Sequence, residues 1–336
     1  SFRNEINLRS EKKYKEWKKE YKKSIIKPVK ITELTEQITI SKESKMIEDN
    51  NIVMNYLANI DSSLIGGSAD LNASIKTYLD NKGDFSKENY LGKNIHFGVR
   101  EHAAGAIING LALIGYKAFC STFLSFSDYL KPAIRMSSLM NLPVTYIFSH
   151  DSISIGFDGP THQPIEQLSA LRGIPNLTVY RPADFNEVVG CWQDIIEKKS
   201  PSALVLSKEI TPNYKETSAH NVRKGAYIVQ KEAKKLDLVL IASGTEVTTC
   251  INIANSIKNF EIRVVSMPST ENFLKMSKKY QRQIIPATST RIAVEASNSL
   301  DLLRFVNSDK HLILLNDFGQ SGTKNDVLRH MNFTEE

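Results

Sequence analysis

Short β-rich runs alternate with helical stretches along most of this 336-residue chain, which predicts an α/β fold of two domains, each a mostly parallel sheet with helices on both faces. Three observations carry that expectation. Residues 63–65, 117–121, 144–149, 178–180 and 203–206 are strand-like and are separated by helical patterns near 101–114, 123–140, 163–171 and 184–198. A second series follows, with strand-like runs at 236–242, 262–266, 291–295 and 312–315. Between the two series, the polar stretch around Thr211-Pro212-Asn213 and on to Asn221 interrupts the pattern, and 336 residues give room for two cores.

In chain order, residues 1–24 read as a solvated charged helix with one aromatic stripe, Tyr14, Trp17 and Tyr21, ended by Pro28. Residues 27–51 are polar and weakly periodic, a linker into a helix that reaches about Tyr56. The expected units are therefore a charged tail over 1–30, a first domain over 31–212 and a second over 220–336. Within the first, a turn at Gly98 leads into a helix with Glu101 in its first turn and apolar positions Ala104, Ile107, Ile108 and Leu111. Its other face, Ala103, Ala106 and Gly110, is small, which predicts burial between layers. In the second, Ser243-Gly244-Thr245-Glu246 turns the first strand into a helix to about Lys258, and residues 322–330 form a closing helix.

Charge, cysteines and hydropathy exclude several classes. The net charge of +6 suggests a polyanion partner, yet residues 1–30 hold 11 Lys/Arg against 4 Glu, a net of +7, so the remainder stands at about −1. No other basic stretch is interleaved with stacking aromatics, which argues against nucleic acid. Cys120, Cys191 and Cys250 are far apart, odd in number and in apolar surroundings, as reduced thiols of a cytoplasmic protein are. The most apolar run, residues 103–115, has 13 residues and contains Asn109, short of the roughly 20 a membrane span needs. The N-terminus is charged from Arg3 onward, so no signal peptide is visible; it begins with Ser, as a fragment would.

The chemistry concentrates where first-sheet strands end, as in open α/β sheets generally. Four clusters fall there: Gly66-Gly67-Ser68-Ala69-Asp70, Ser121-Thr122-Phe123, His150-Asp151 and the Lys208 position. The loop over 149–164 holds His150, Asp151, Asp158 and His162 among Gly156, Gly159, Pro160 and Pro164, a polar substrate site rather than a mere connection. Metal binding is the weaker reading, because the spacing matches no familiar ligand set and no cysteine joins it. Phe123, Phe126 and Tyr129 recur every three residues. Taken alone they are a core stripe, and they become a ring-binding pocket only with Glu101 opposite.

Five motifs occur in the order found in transketolases: Gly66-Gly-Ser-Ala-Asp-Leu71, Gly98-Val-Arg-Glu-His102, Ser121-Thr-Phe-Leu-x-Phe-x-x-Tyr129, Asp158-Gly-Pro-Thr-His-Gln-Pro164 and Val265-Ser-Met-Pro-Ser-Thr270. From roughly Ser41 to the C-terminus the chain resembles the pyrimidine-binding and C-terminal domains of that family. The resemblance implies thiamine diphosphate as cofactor and Glu101 as the acid that activates it by a hydrogen bond to the aminopyrimidine ring. It also implies Phe123, Phe126, Tyr129 and Asp70 as cofactor pocket, and His150, Asp158 and His162 as groups that bind sugar hydroxyls and assist proton transfer. Ser74 and Lys208 match positions that contact the sugar phosphate. The family pattern has arginine at 208, and Lys42 is the only candidate for another family arginine upstream; lysine keeps the charge but loses the bidentate fork.

One element of the resemblance is missing. Transketolases hold the diphosphate and its divalent metal (Mg or Ca) through a Gly-Asp-Gly motif in a separate domain, and Gly83-Asp84-Phe85 lacks the second glycine. The resemblance thus implies a fragment or one subunit of a split enzyme, inactive alone, with residues 1–24 as the tail of the missing domain. Its expected partners are that diphosphate-binding domain or subunit, sugar phosphate substrates, and a homodimer or split hetero-oligomer. The end soon after Met331, where the family continues, fits the same expectation. Rival readings are a dihydroxyacetone synthase or other thiamine-dependent transferase, and a catalytically silent dimerising module. The His-rich loop argues against a 2-oxo acid dehydrogenase β subunit, and the intact Glu101, His150, Asp158 and His162 argue against the silent module.

Overall fold

In the computed structural model, residues 10–15, 31, 34–37 and 41–335 are described. Residues 10–15 of the expected N-terminal helix are helical and exposed, whereas Trp17 and Tyr21 lie outside the described residues. Strands are numbered in chain order: β1 Glu43–Lys45, β2 Leu64–Ser68, β3 Lys117–Phe123, β4 Thr145–Ser149, β5 Thr178–Tyr180, β6 Ser202–Leu206, β7 Ile210–Pro212, β8 Tyr227–Gln230, β9 Leu238–Ala242, β10 Ile262–Ser266, β11 Thr290–Glu295 and β12 Leu312–Leu314.

The first sheet is fully parallel, in the order β2-β3-β4-β6-β5. Its strands are short runs with both faces buried, as a parallel sheet covered on both sides requires. Alternate residues feed two cores. Phe119, Ile147, Tyr180 and Leu204 pack on the Met46–Ile60 and Phe185–Glu197 helices. Cys120, Tyr146, Phe148 and Val205 pack on the Glu101–Leu113 and Ser127–Leu139 helices. Two large polar side chains inside these layers are paired: Trp192 Nε1 donates to Asn50 Oδ1 at 2.8 Å, and Asn109, inside the most apolar run, donates to Ala133 O at 2.9 Å.

The second sheet runs β12-β11-β9-β10-β8 and is parallel except for β8, which lies antiparallel on β10 at the edge. The expected strands appear with ends moved by a residue or two, and β8 is additional. So is the pairing of β1 with β7: Thr211 and Pro212, read from sequence as an interruption, lie in an antiparallel strand against Ser44 and Glu43. Asn213 extends it, donating from Nδ2 to Ser41 O at 3.1 Å and to Ser44 Oγ at 2.9 Å.

Two expectations for the Glu101–Leu113 helix change. Its small face, Ala103, Ala106 and Gly110, is exposed, and so is Ile107. The close approach is made instead by Gly105, where an added Cβ would meet Ala133 Cβ at 2.7 Å and Leu130 Cδ2 at 2.8 Å on the neighbouring helix.

The turn before this helix is fixed by β2. Gly66 N donates to Lys93 O at 3.1 Å and Ile95 N donates to Gly66 O at 2.7 Å, so the 93–95 backbone lies against the strand and feeds the Gly98 turn. A Cβ at Gly67 would stand 1.8 Å from Ile95 O, and both atoms are backbone-fixed. Gly67→Ala is therefore expected to destabilise the chain by about 3 kcal/mol, the upper end of overpacking costs. Urea unfolding within about 0.5 kcal/mol of the parent, the range of a neutral surface change, would show that the two backbones separate freely.

Candidate active site

Phe123 closes β3, Phe126 lies in the 3-10 turn Leu124–Phe126, and Tyr129 is in the first turn of the Ser127–Leu139 helix. They are not three positions on one helix face, as the spacing suggested, yet they still form a ladder. Phe123 and Phe126 stack at 5.8 Å between centroids, and Phe126 and Tyr129 follow at 6.1 Å. The ladder opens outward: Phe123 is 8% exposed, Phe126 half-buried and Tyr129 65% exposed.

Both loop histidines reach this ladder. His150, directly after β4, lies over Phe123 at 3.8 Å, and His162 meets Phe126 edge-on at 5.2 Å and Phe123 at 6.1 Å. Glu101, buried at the start of its helix, accepts a hydrogen bond from Thr122 Oγ1 at 3.3 Å, one residue before Phe123. Its Oε2 takes no hydrogen bond among the described residues. An acid, a ring ladder and two imidazoles 49 to 61 residues later in sequence thus meet at the C-terminal ends of the adjacent strands β3 and β4.

His150 is held tightly. Its φ of 58° is in the left-handed region, its Nδ1 shares a 2.8 Å hydrogen bond with Ser149 Oγ, and it is buried. Burial first, then the charge of Lys208, and to a lesser degree His162, push its proton affinity down to about 4; Asp158 and Asp151 oppose them. Lys208, half-buried, has no hydrogen bond or ion pair among the described residues, whereas the adjacent Glu209 takes Lys324 at 2.7 Å. His162 is half-buried with Nδ1 bonded to Thr161 Oγ1 at 2.9 Å, and Asp158 is exposed.

Asp70 and Ser74 follow β2 at the same end of the sheet, but both are exposed and neither side chain bonds to the ring cluster. Asp70 has a φ of 60°, and the Ser74 backbone closes a turn onto Leu71 O at 3.0 Å. Lys42 is exposed, with its carbonyl accepting from Asn213 N at 2.9 Å. Asp151, read from sequence as part of the open polar loop, is buried and committed. Its Oδ2 accepts from Arg181 Nε at 3.0 Å and Nη2 at 2.8 Å, so it faces the interior rather than a substrate. Arg181 escaped the sequence reading because it stands in no motif whose spacing points to the histidines; Thr122 stood in the Ser121-Thr122-Phe123 cluster, where nothing local marks it as the partner of Glu101. Among the described residues no group of three or more His, Cys, Asp or Glu could hold a metal ion.

The two sheets and this site define an α/β protein with a partly exposed cluster of aromatic and imidazole rings beside a buried acid. Residues 44–213 match the family model of the transketolase pyrimidine-binding domain, and residues 225–334 match that of the transketolase-like C-terminal domain. The chain belongs to the transketolase family. It is 43% identical to a transketolase of Halalkalibacterium halodurans over 84% of this chain and 43% of the relative, and 39% identical to that of Bacillus subtilis over 96% and 52%. The crystal structure of transketolase from Campylobacter jejuni superposes with a TM-score of 0.82 at 42% identity, covering 88% of this chain and 45% of that one. The inactive β4 tetramer of a split-gene transketolase shares the fold, with a TM-score of 0.67 at 19% identity over 87% of this chain and 94% of that one. The chain spans about half the length of the curated relatives it matches.

The depressed proton affinity of His150 has a stability consequence. An unfolded histidine protonates near 6.5, folded His150 only near 4, so between these values the unfolded state holds more protons. The stabilisation is full above pH 6.5 and is lost as pH falls to 4, in total roughly 3 kcal/mol. Asparagine tolerates the left-handed backbone and does not titrate. Relative to His150→Asn, the parent is expected to lose about 3 kcal/mol of unfolding free energy between pH 7 and pH 4. A pH-independent difference between the two urea curves would contradict this account of His150.

Proposed function

We propose that this chain supplies the pyrimidine-side and sugar-side half of a transketolase site. The site transfers a two-carbon ketol unit from a ketose phosphate to an aldose phosphate once a separate diphosphate-binding domain or subunit completes it. In this reading residues 31–212 are the pyrimidine-binding unit, 220–336 the C-terminal unit and 1–30 a tail toward that partner. The observation that carries it is the ring ladder with Glu101 at one side and two imidazoles at the other.

The residues fit a thiamine diphosphate pyrimidine: Phe123, Phe126 and Tyr129 offer an open apolar face, and the buried Glu101 keeps one oxygen unpartnered for a ring nitrogen. When bound, the cofactor supplies the nucleophilic carbon and the electron sink for cleaving the bond between C2 and C3 of the ketose. Glu101 holds a proton at the pyrimidine ring, with Thr122 orienting its other oxygen. Asp70 flanks the pocket. His150 and His162, with Asp158, orient sugar hydroxyls and move protons between substrate oxygens. Lys208, a cation without a protein partner among the described residues, and Ser74 take the substrate phosphate.

The sequence has no Gly-Asp-Gly motif, so the partner carries the divalent metal. The exposed apolar side chains Ile107 and Leu113 on one helix and Tyr129, Met136 and Leu139 on its neighbour support a covering subunit, in a homodimer or a split hetero-oligomer. Three buried thiols, each pushed up by burial, fit the reducing cytoplasm.

The test is complementation. The chain alone is expected to bind thiamine diphosphate weakly, and addition of a diphosphate-binding transketolase domain should yield ketol transfer. Glu101→Gln keeps a hydrogen bond but has no acidic proton, and it should cost roughly 10² to 10⁴ in turnover with cofactor affinity changed far less. Turnover within threefold of the parent removes Glu101 from its role.

Lys208 gives a second measurement. An ammonium is a point charge, whereas a guanidinium offers two parallel donors to phosphate oxygens. Lys208→Arg in the completed enzyme should lower KM for a phosphorylated ketose by up to roughly tenfold, about one charge-assisted hydrogen bond. The KM for hydroxypyruvate, which has no phosphate, should stay unchanged; equal shifts for both donors would place residue 208 elsewhere than on phosphate.

A further inference from the structure

Open α/β sheets usually take ligands in the crevice where strand order reverses, outside the strand C-termini. In the second sheet that crevice lies between neighbours β9 and β11, whose chain connections depart to opposite sides. It is filled by the first unit. Arg181, directly after β5, donates from Nη1 to Ser243 O at 3.0 Å and to Glu246, and lies 3.7 Å from Glu295 at the end of β11. Its backbone is fixed there too, with Arg181 N donating to Pro268 O at 2.9 Å and Gly244 N donating to Arg181 O at 3.1 Å. Gly244 has a φ of 59°, and a Cβ there would strike Arg181 Cζ at 2.7 Å.

The other edge of the same guanidinium grips Asp151, the residue after His150. His150 occupies left-handed backbone, which a non-glycine residue keeps only where its surroundings impose it. The two bonds that converge on Asp151 Oδ2 impose it from one side, and the Phe123 ring at 3.8 Å limits it on the other. The far end of the loop is tied likewise: Gln163 Nε2 donates to Gln320 O and to Gly156 O, both at 2.9 Å.

We propose that Arg181, anchored by Ser243 and Glu246 of the second unit, is a positioning residue that sets the His150 imidazole against Phe123 through Asp151, so that the C-terminal unit takes part in determining the geometry of the site. The catalytic meaning rests on the transketolase reading above; the positioning itself does not.

The experiment uses the full chain with ¹³C-labelled histidine and follows the His150 ring by NMR. Two readouts are taken: the ring-current shift imposed by Phe123, and the pH midpoint of the imidazole, which faces Lys208, Asp158, Asp151 and His162. Arg181→Lys replaces the fork by a point charge that cannot span Asp151 and Ser243 together. It is expected to abolish most of the ring-current shift and to raise the protonation constant of His150 at least tenfold. Glu246→Gln, which loosens only the far end of the arginine, should move both readouts the same way by at least twofold, and it decides the matter if Arg181→Lys does not fold.

The control is Glu187→Gln. Glu187 accepts from Tyr227 Oη at 2.6 Å and Ser266 Oγ at 2.5 Å between the same two units but touches nothing in the histidine loop, so both readouts should stay at parental values. An unchanged His150 in the folded Arg181 or Glu246 variant overturns the proposal, as does an equal displacement in Glu187→Gln. In the complemented enzyme, turnover should fall in the order of His150 displacement. Absence of turnover in the parent counts against the transketolase reading alone, because the NMR readouts still decide the positioning role.

Discussion

Two arginines placed in a low-dielectric crevice govern how the halves of this molecule sit. Arg172, at the end of the Gln167–Arg172 helix, forms a fork with Glu295 at 2.6 and 2.9 Å and approaches Asp301 at 3.5 Å; Arg181 bridges Asp151 and Glu246. Apart from Asp301 at the rim, all are nearly excluded from water. Burying them is costly, so the network is held by geometry rather than by charge alone, and loss of one partner strands the others at roughly 3–5 kcal/mol. The carboxylates respond differently. Burial would raise Glu295, but Arg172, Arg181 and the Ser243 hydroxyl overcome it and hold that carboxyl near 2. At Glu246 burial wins over Arg181 and the proton affinity rises.

The rest of the junction combines an apolar cluster, in which Ile153 and Ile165 of the histidine loop pack with Ala296, Leu315 and Val327, with further polar contacts. Glu187, pushed up by burial and then by Asp184, receives Tyr227 and Ser266 from the second sheet. Lys198 reaches Asn272 at 2.9 Å, and Asn272 Nδ2 donates to Asp194 at 2.7 Å. Apolar surfaces slide with little penalty, whereas hydrogen bonds to buried charges weaken steeply with angle and distance. A junction built this way fixes orientation, which a loop carrying two histidines needs if they are to meet rings on another strand.

Much of this was legible in the sequence, for identifiable reasons. Strands buried on both faces are continuous apolar runs, so β4, β5, β6 and β10 stood out within a residue of their observed ends. The β8 strand did not, because Tyr227–Gln230 is four residues long and half-covered at an edge. Nor did β1 and β7, whose pairing joins residues 165 to 169 positions apart and leaves no local period. The ring ladder was visible as a spacing, but the assumed single helix was wrong; the same spacing is produced by a strand end, a 3-10 turn and a helix start. The histidine loop was legible as a concentration of polar residues, while the inward turn of Asp151 was not, since its partner lies 30 residues away in an ordinary Arg-Pro-Ala-Asp turn.

The two imidazoles reached by that loop share a further property. Each has Nδ1 bonded to a hydroxyl, Ser149 for His150 and Thr161 for His162, and each leaves Nε2 without a hydrogen-bond partner among the described residues. A hydroxyl donates or accepts with equal ease, so either histidine can present Nε2 as an N–H or as a lone pair without breaking its anchor. A carboxylate at Nδ1 would fix one tautomer and favour the charged ring. Hydroxyl anchors, with burial and Lys208 disfavouring protonation of His150, keep that ring neutral and reversible in its hydrogen bonding. Under the proposed function, that suits groups that pass a proton from one oxygen to another beside an aromatic surface.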